Sequence, residues 1–333
     1  AALLAGFAYP LLFQRFQVEP NEFELERVYI QRNIQATRWA YGLDQIQEST
    51  FQANPKLTAG AIEDSRSVLD NIRLWDLQPL QDAYNQLQFM ELYYNFLNID
   101  WDRYPVNGEM RQVLVAAREL NQDNLPEDAK NWVNQRLQYT HGYGLVMSPA
   151  TEFTPGEGRP EFLLQDIPIR GDFPVERPGL YYGETPSGFA IVNSALPEVG
   201  PGEEAQHYGG SGGVSLNSTL RRISYASQFG DINILLSGQL TPDSRIQYRR
   251  EIRSRVKAVA PFLRLDRDPY PVLDQAGKLW WLQDAYTATD RIPYSAQTER
   301  PLPRPENREI LGGFNYIRNS VKVAVDAYNG SVD

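Results

Sequence analysis

Residues 132–166, WVNQRLQYTHGYGLVMSPATEFTPGEGRPEFLLQD, contain the change of pattern that decides the fold. Before the change, Val133 and Leu137 recur at helical spacing, and Gly142 is typical of a residue that ends a helix. After it, proline and glycine become frequent, and 161–166 is a short run of the kind that forms strands. The pattern predicts an α+β fold, in which a helical N-terminal part is followed by a mixed, hairpin-rich β part with inserted helices.

The region upstream, residues 20–140, carries three further patterns of helical spacing. We expect amphipathic helices that bury one face in a helical core. The apolar members of these patterns are Ile30, Ile34 and Tyr41; Leu80, Ala83, Tyr84, Leu87 and Tyr94; and Met110, Val113, Leu114 and Ala117.

The region downstream predicts two hairpins from strand-forming runs on either side of turn residues. One hairpin joins 180–183 to 189–193 across Thr-Pro-Ser-Gly. The other joins 271–274 to 279–287 across Gln-Ala-Gly.

Two inserted helices are predicted from cap residues and apolar spacing. Asn217 or Ser218 is a suitable cap for the first helix. The second helix is expected over 244–260, with Asp243 or Ser244 as its cap. Its inward-facing residues are predicted to be Tyr248, Ile252, Val256 and Val259.

The last part of the chain predicts a loop and a third hairpin. Residues 296–308 are proline-rich and charged, as expected of a mobile loop. Residues 321–328 alternate between apolar and polar, and Asn329-Gly330 is a strong hairpin signal. We expect the partner strand of this hairpin to continue beyond Asp333.

Composition excludes several classes of function. The net charge is −10 and the pI is about 4.9, whereas nucleic-acid binding requires a basic face. The chain has no cysteine, so no disulfide forms. A zinc site would need both histidines, His141 and His207, together with a carboxylate, and we predict neither a metal site nor a cofactor.

The N-terminal segment, residues 1–13, carries no charge. It is shorter than the roughly 20 residues that span a bilayer, which leaves a buried or interfacial helix or the trailing end of a transmembrane helix. The acidic flank that follows contrasts with the basic flanks of cytoplasmic loops, so a helix ending here would emerge outside the cytoplasm. We predict a membrane-helix tail over 1–16, a helical subdomain over 17–142 and a mixed subdomain over 143–333.

The candidate binding residues are basic side chains in an acidic chain. Arg249, Arg253 and Lys257 would share one face of the second inserted helix. This face is either solvated and ion-paired or a contact for an anionic envelope polymer or lipid head groups. Arg221 and Arg222, near a helix start behind the glycine-rich 209–213, are a second candidate anion site.

Candidate catalytic residues are few, and the catalytic set is unknown. Ser211 stands in a G-x-S-x-G pattern, but loop-forming residues precede it instead of the strand that a nucleophile elbow requires. Asp266, Asp268 and Asp274 suit turn caps, Ca²⁺ binding looser than that of an EF-hand, or a hydrolytic carboxylate pair. His141 is expected to be a hydrogen-bonded structural residue, with a general base as the alternative.

Several blocks of the sequence together resemble one known family. Four of them are ERVYIQRNIQATRWAYGLD, NIRLWDLQPLQDAYNQLQFMELYYNF, YGGSGGVSLNSTLRRISYA and FNYIRNSVKVAVDAYNG. In this order and spacing the chain is similar to the UPF0182 group of bacterial membrane proteins from about residue 9 to 333. The resemblance implies several N-terminal transmembrane helices, absent from this chain, followed by a large hydrophilic region outside the cytoplasm. It supplies no active-site residues.

Three functional hypotheses follow. The first is an extracytoplasmic ectodomain of a multi-pass cell-membrane protein that binds an envelope component or a partner protein. The second is an envelope hydrolase that uses aspartate or glutamate. The third is a domain that supports a transport activity of the membrane helices.

Overall fold

The computed structural model of the chain forms two compact units. The first unit consists of Ala1–Lys56, Ala288–Pro301 and Leu311–Arg318, and the rest of the chain forms the second. The predicted boundaries at residues 16 and 142 stay predictions. The structure describes residues 4–50, 56, 58–88, 90–186, 188–200, 205–293, 295–298 and 313–333. Most of the predicted loop over 296–308 lies outside these residues.

The first unit begins with an almost continuous helical stretch. Its segments are a π-helix at Leu4–Ala8, α1 at Tyr9–Phe13, a π-helix at Gln14–Val18, a 3-10 turn at Glu19–Asn21 and α2 at Glu22–Ala40. A further 3-10 turn spans Leu43–Gln45.

The helix predicted around Ile30 and Ile34 is confirmed, but the expected burial of its apolar stripe is wrong. Ile34 is 54% exposed, and α2 contains no buried residue. The pattern specifies a helix in which none of the described side chains is buried. Among the described residues, no helix combines the length and apolar character that crossing a membrane requires.

The second unit contains short helices around several sheets. Its α-helices are α3 at Ala59–Asp64, α4 at Arg66–Leu69, α5 at Leu77–Leu87, α6 at Thr219–Phe229, α7 at Asn233–Leu236 and α8 at Ile252–Val259. The predicted helix at 132–138 is also present, with a π-helix at Asn134–Gln138, and 3-10 turns span Gln122–Asn124 and Glu127–Ala129. Leu80 and Tyr84 on α5 are fully buried, which confirms this part of the second predicted stripe. Its other end is wrong, because Leu87 is 39% exposed and Tyr94 lies in a strand.

The strands are numerous and mostly short. They are β1 Tyr94–Phe96, β2 Asp100–Val106, β3 Glu109–Leu120, β4 Gly142–Tyr143, β5 Leu145–Pro149, β6 Phe153–Thr154, β7 Arg159–Pro160, β8 Leu164–Gln165, β9 Arg170–Gly171, β10 Gly179–Leu180, β11 Ala190–Val192, β12 Glu198–Val199, β13 Ala205–Gln206, β14 Val214–Ser215, β15 Arg245–Gln247, β16 Arg264–Leu265, β17 Tyr270–Leu273, β18 Leu279–Thr289 and β19 Tyr316–Asp326. Together with the helices they confirm the α+β fold class.

The largest sheet has the order β1-β3-β5-β8-β9, with β2 also paired to β3. The helix predicted around Val113 and Ala117 is wrong, because these residues lie in the central strand β3. Residues 113–117 form an unbroken, buried apolar run rich in valine, and both faces of a central strand accept such a run. Asn107 and Gly108, both with positive φ, form the hairpin turn between β2 and β3.

Of the first two predicted hairpins, one is confirmed and one is wrong. β17 pairs with β18 across the Gln-Ala-Gly turn as expected. The runs at 180–183 and 189–193 instead pair elsewhere, β10 with β4 and β11 with β15. The segment between the two runs explains this difference. The amides of Glu184 and Thr185 donate to the buried carboxylate of Glu119, and this contact replaces the tight turn that a hairpin would need.

The C-terminal turn is confirmed as a hairpin. Asp326 Oδ1 accepts hydrogen bonds from the amides of Tyr328 and Asn329, each at 2.8 Å. Beyond the turn, Val332 forms an antiparallel bridge with Val325.

The inserted helices agree in part with the sequence. Ser218 Oγ accepts the amide of Arg221 and caps α6, as predicted. The helix predicted over 244–260 is wrong in its first half, which contains β15. Ser244 Oγ binds the amide of Thr241 instead of capping a helix, and Glu251 caps α8. Because Ile246 pairs with both Ile191 and Val214, sheet hydrogen bonding overrides the local helical preference.

Candidate functional site

The exposed side of α8 borders a shallow hollow of about 250 Å³, which we name the basic hollow. Its lining residues are Tyr182, Gly213, Val214, Tyr248, Arg249, Arg255, Ala258 and Val259.

The orientation of α8 follows from its cap and its apolar residues. The carboxylate of Glu251 accepts the amides of Arg253 at 2.9 Å and Ser254 at 2.7 Å, which fixes the helix start. Ile252 and Val256 are buried, as predicted. The prediction that Val259 points inward is wrong, because this residue is 65% exposed. The outer face therefore presents apolar as well as basic groups.

The three basic residues predicted for one helical face have different surroundings. Arg249 precedes α8 and has a φ of 50°, so the predicted i, i+4, i+8 alignment on one helix is wrong. Arg249 and Lys257 are exposed, and neither forms an ion pair with any residue that the structure describes. Arg253 is half-buried. The outward basic pair is thus Arg249 and Lys257.

Other arginines of the same run serve the scaffold. Arg245 donates to the carbonyls of Ser211, Gly212 and Gly213 at 2.7–2.8 Å. Arg255 Nε donates to the carbonyl of Gly330 at 2.6 Å. Its guanidinium lies 4.5 Å from the centre of the Tyr182 ring. These contacts hold the floor of the basic hollow in place.

The glycine-rich loop is closed by internal hydrogen bonds. The amide of Gly209 donates to Tyr328 Oη, that of Ser211 to Asn329 Oδ1 and that of Gly212 to Tyr208 Oη, at 2.8–3.0 Å. A Cβ at position 212 would lie 2.3 Å from the carbonyl oxygen of Asn329, so the close approach requires glycine. These amides are occupied by protein groups and do not face an anion.

The arginines behind this loop are also directed at backbone carbonyls. Arg221 Nη1 donates to Ser215 O at 3.2 Å, and Arg222 Nε donates to Leu216 O at 3.0 Å. The anion site at these two residues stays a prediction. Ser211 is followed by β14 rather than directly by a helix, so the elbow geometry is not formed.

His141 belongs to a buried hydrogen-bond network, as the structural interpretation expects. Its Nδ1 lies 3.3 Å from Glu198 Oε2, which also accepts hydrogen bonds from Thr140 Oγ1 at 2.6 Å and Tyr181 Oη at 2.7 Å. Burial alone would raise the pKa of Glu198, but its contacts with His141, Thr140 and Tyr181 outweigh burial and lower it. His207 is exposed, and the part of the chain that the structure describes contains no side-chain cluster suited to a metal ion.

A group of acidic side chains, Asp100, Glu184 and Asp268, forms what we name the carboxylate cluster. Burial, and then the charges of Asp268 and Asp102, raise the pKa of Asp100 to about 8. Burial raises the pKa of Glu184 to about 9, with further contributions from neighbouring carboxylates. The pKa of Asp268 is raised for the same reasons. Asn98 Nδ2 donates to Asp268 Oδ1 at 2.7 Å.

The other two predicted aspartates are turn and strand caps. Asp274 accepts the amides of Ala276 and Lys278 at 2.8–2.9 Å. Asp266 Oδ2 accepts the hydroxyl of Tyr286 at 2.7 Å. Sequence reasoning thus identified Asp268 and missed its partners, which come from distant segments and share no spacing with it.

The chain thus has an α+β fold in two units, the first with an exposed apolar helix and the second with a basic hollow and a partly buried group of acids. The chain matches an uncharacterised protein family, UPF0182, over residues 1–333, and it belongs to that family. It is 51% identical over 339 residues to a UPF0182 protein of Pelotomaculum thermopropionicum, covering 100% of this chain and 36% of the relative. A UPF0182 protein of Desulforamulus reducens is 46% identical over 338 residues, covering 100% and 35%.

The chain therefore spans about a third of the length of these relatives. No solved structure matches it. The resemblance found in the sequence is confirmed as family membership, and the family itself is uncharacterised.

The raised pKa of Asp100 predicts a pH-dependent stability. Its ordinary pKa is 3.8, so between about pH 4 and about pH 8 the folded chain retains a proton that the unfolded chain has lost. The free energy of unfolding therefore falls as the pH rises through this window. Replacing Asp100 by Asn should stabilise the chain at pH 9 by more than about 1 kcal/mol and have little effect near pH 4, as measured by denaturant unfolding.

The matched control is Asp243→Asn, which neutralises an exposed carboxylate. It should leave the pH profile parallel to that of the wild type. An Asp100→Asn profile that is also parallel would contradict the buried-acid assignment.

Proposed function

We propose that this chain is an extracytoplasmic ectodomain of a multi-pass cell-membrane protein, and that its basic hollow binds an anionic component of the cell envelope. The observation that carries the binding proposal is a pair of exposed cations: Arg249 lines the basic hollow, and Lys257 lies on the bordering helix α8. Neither forms an ion pair with a described residue, although the chain has a net charge of −10. The net negative charge of the chain repels an anion at long range. Local contacts must therefore supply the affinity.

The chemistry of the basic hollow suits a polymer that carries both charge and carbon surface. Tyr248 is half-buried, Val259 is exposed, and Arg249 lies beside them. Aromatic and aliphatic groups favour contact with sugar or lipid carbon, while guanidinium and ammonium groups pair with phosphate or carboxylate. The hollow is open, as expected for a groove that accepts part of a long chain.

The membrane part of the proposal is supported by the apolar N-terminal helix. Phe7 is 72% exposed and Phe16 is 69% exposed, and Tyr9, Leu11 and Leu12 are also exposed. Exposed apolar patches of this kind mark membrane or protein contacts. The helices of the protein's own transmembrane region are the partner that would cover them.

Neutralising the exposed basic pair should weaken binding without unfolding the chain. Because Arg249 and Lys257 have no ion pair with a described residue, the double variant Arg249→Gln/Lys257→Gln should keep the wild-type melting temperature. A cation near an anionic surface contributes about 1 kcal/mol, so retention on anionic vesicles should fall roughly ten- to thirtyfold at low salt. Sedimentation with vesicles measures this loss.

The control for this experiment is Arg170→Gln/Lys278→Gln, which makes the same charge change at two exposed residues outside the basic hollow. Equal losses in the two double variants would show attraction by net charge alone. Unchanged retention in the first variant would reject the basic hollow as the binding site.

The membrane orientation predicts the side on which the C-terminal residue lies. A reporter enzyme inserted after Asp333 in the intact protein should be active outside the cytoplasm. A cytoplasmic reporter joined at the same position is the control, and its activity there would reject the extracytoplasmic location.

A second candidate function, an envelope hydrolase, is favoured by the carboxylate cluster. A carboxyl group that stays protonated near neutral pH, such as Glu184, is suited to act as a general acid. The exposed neighbour Asp268 would then be the ionised carboxylate that acts as base or nucleophile. Burial, and then the charges of Glu119, Asp100 and Asp268, raise the pKa of Glu184. We offer this as a proposal for glycosidic bonds, whose hydrolysis uses such a carboxylate pair.

The hydrolase proposal predicts new reducing ends when the chain is incubated with envelope polysaccharide. Glu184→Gln should reduce the rate at least a hundredfold, because the general acid is lost, while Asp243→Asn should retain it. Absence of any reducing ends with the wild-type chain between pH 5 and 8 would reject this function.

A further inference from the structure

A separate polar cleft of about 250 Å³ lies in the second unit. It is bounded by the residues after β3, by the helix at 132–138 and by the segment after β10. The residues used below are Asn121, Gln122, Gln135, Arg136, Thr185 and Arg250. We name it the arginine cleft.

Arg250 forms the buried side of the arginine cleft and is only 3% exposed. Its Nε donates to the carbonyl of Tyr181 at 2.8 Å, and its Nη2 donates to the carbonyl of Thr140. Its Nη1 donates to no residue that the structure describes. The guanidinium is thus fixed by two carbonyls, and Nη1 has no acceptor among the described residues.

The acidic residues near Arg250 are engaged with other groups. Glu119 accepts the amides of Glu184 and Thr185. Glu198 accepts the hydroxyls of Thr140 and Tyr181. No carboxylate oxygen of a described residue lies within ion-pair distance of Arg250. A buried cation in this position gains from an anion that reaches it.

Arg136 brings a second cation to the same cleft. Its Nη1 donates to the carbonyl of Phe189 at 3.1 Å, and its guanidinium lies 4.7 Å from the centre of the Phe189 ring. These contacts fix its plane, and no ion pair with a described residue uses its remaining donors. Arg136 and Arg250 are close enough that the charge of Arg136 lowers the pKa of Arg250, in addition to the larger effect of burial. Asp231 is an acidic neighbour of Arg136, but neither arginine forms an ion pair with a described residue, so two like charges this close together favour a bound anion.

The rest of the lining is mostly neutral and polar; Asp123 is its acidic member, and Leu120 and Pro186 are apolar. Asn121 Oδ1 accepts the amide of Asp123 at 3.0 Å, which leaves the Asn121 Nδ2 as a donor. Gln122 Nε2 donates to Gln135 O and Tyr139 O, which leaves its Oε1 as an acceptor. Asp123 is exposed, so its charge lies in solvent while Arg250 is buried. Such a lining suits the hydroxyl groups of a ligand.

We propose that the arginine cleft binds a small sugar that carries an oxyanion, a carboxylate or a phosphate, with the oxyanion between Arg136 and Arg250. The volume lies just below the roughly 300–1,000 Å³ of sites for drug-sized ligands, which matches a ligand of one sugar ring. Arg136, whose Nε and Nη2 donate to no described residue, can pair with either oxyanion in a two-point geometry, while Arg250 supplies a single donor, Nη1. The neutral donors and acceptors then contact the ring hydroxyls.

The test is calorimetric titration of the whole chain with glucuronate, glucose 6-phosphate, inorganic phosphate and glucose. Glucuronate, glucose 6-phosphate or both should bind, and which of them binds more tightly identifies the oxyanion. Glucose should bind at least tenfold more weakly. If glucose binds as tightly as the charged sugars, recognition of an oxyanion is overturned. If inorganic phosphate binds as tightly as the sugars, recognition of the sugar is overturned. If neither charged sugar binds at millimolar concentration, the whole proposal is overturned.

Variants assign the binding to the cleft. Arg136→Gln should weaken the charged sugar roughly tenfold or more, and Arg136→Lys should recover part of the loss because the charge returns without the planar group. Arg111→Gln, at another half-buried arginine, is the control. If Arg136→Gln does not fold, Asn121→Ala serves as a second probe of the cleft. The assignment is overturned if Asn121→Ala and whichever Arg136 variants fold all bind the sugar with wild-type affinity. Arg249→Gln/Lys257→Gln should bind the sugar normally, so failure of the basic hollow and failure of the arginine cleft are distinguishable.

Discussion

Buried backbone groups must find hydrogen-bond partners, and at residues 181–185 this constraint joins much of the second unit. The segment follows β10 and forms no regular strand. The amides of Tyr181 and Tyr182 donate to Ala327 O beyond β19. The carbonyl of Tyr182 accepts Trp281 Nε1 from β18 at 2.8 Å, and that of Gly183 accepts the amide of Ile252 at the start of α8. These hydrogen bonds connect β18, the end of β19 and the start of α8 through one segment. After Tyr182 the segment contributes almost no apolar packing.

The same constraint explains why arginines of one short run have opposite roles. Arg250 turns inward because the carbonyls of Tyr181 and Thr140 need donors, and its neighbour Arg249 is left exposed. The change of direction occurs where Arg249 adopts a left-handed backbone, which costs a non-glycine residue about 1 kcal/mol or more. Hydrogen bonding of the buried guanidinium offsets that strain. The basic hollow and the arginine cleft are thus two consequences of one local arrangement.

The sequence predicted the elements that local chemistry specifies. Ser218 at the start of α6, the hairpin of β17 and β18, and the turn at Asn329-Gly330 depend on residues close in the chain, and each is confirmed. The helix prediction around Val113 was wrong because a strand at the centre of a sheet is apolar on both faces. Its sequence therefore lacks the alternation of apolar and polar residues that indicates a strand.

The candidate sites depend even more on distant contacts. Local spacing gave Asp268, but Asp100 and Glu184 reach it only after β2 and the 181–185 segment have been placed by other strands. Arg136 was not identified at all, because a single arginine between Gln135 and Leu137 of a predicted helix carries no local signal. The basic run was visible, yet which members face solvent was not. That outcome depends on which backbone carbonyls lack donors, a tertiary property.

Burial also determines how salt affects the two proposed anion sites. Arg249 and Lys257 are in solvent, where the Debye length is about 8 Å at physiological ionic strength, so mobile ions compete directly with a polymer for them. Arg250 is buried, and a small oxyanion beside it would be shielded from much of that competition. Affinity at the basic hollow should therefore fall steeply with salt, while affinity at the arginine cleft should fall little. Ionic strength alone would then distinguish binding of a long envelope polymer at the first site from binding of a single charged sugar at the second. Both sites carry positive charge, and the physical difference between them is their exposure to solvent.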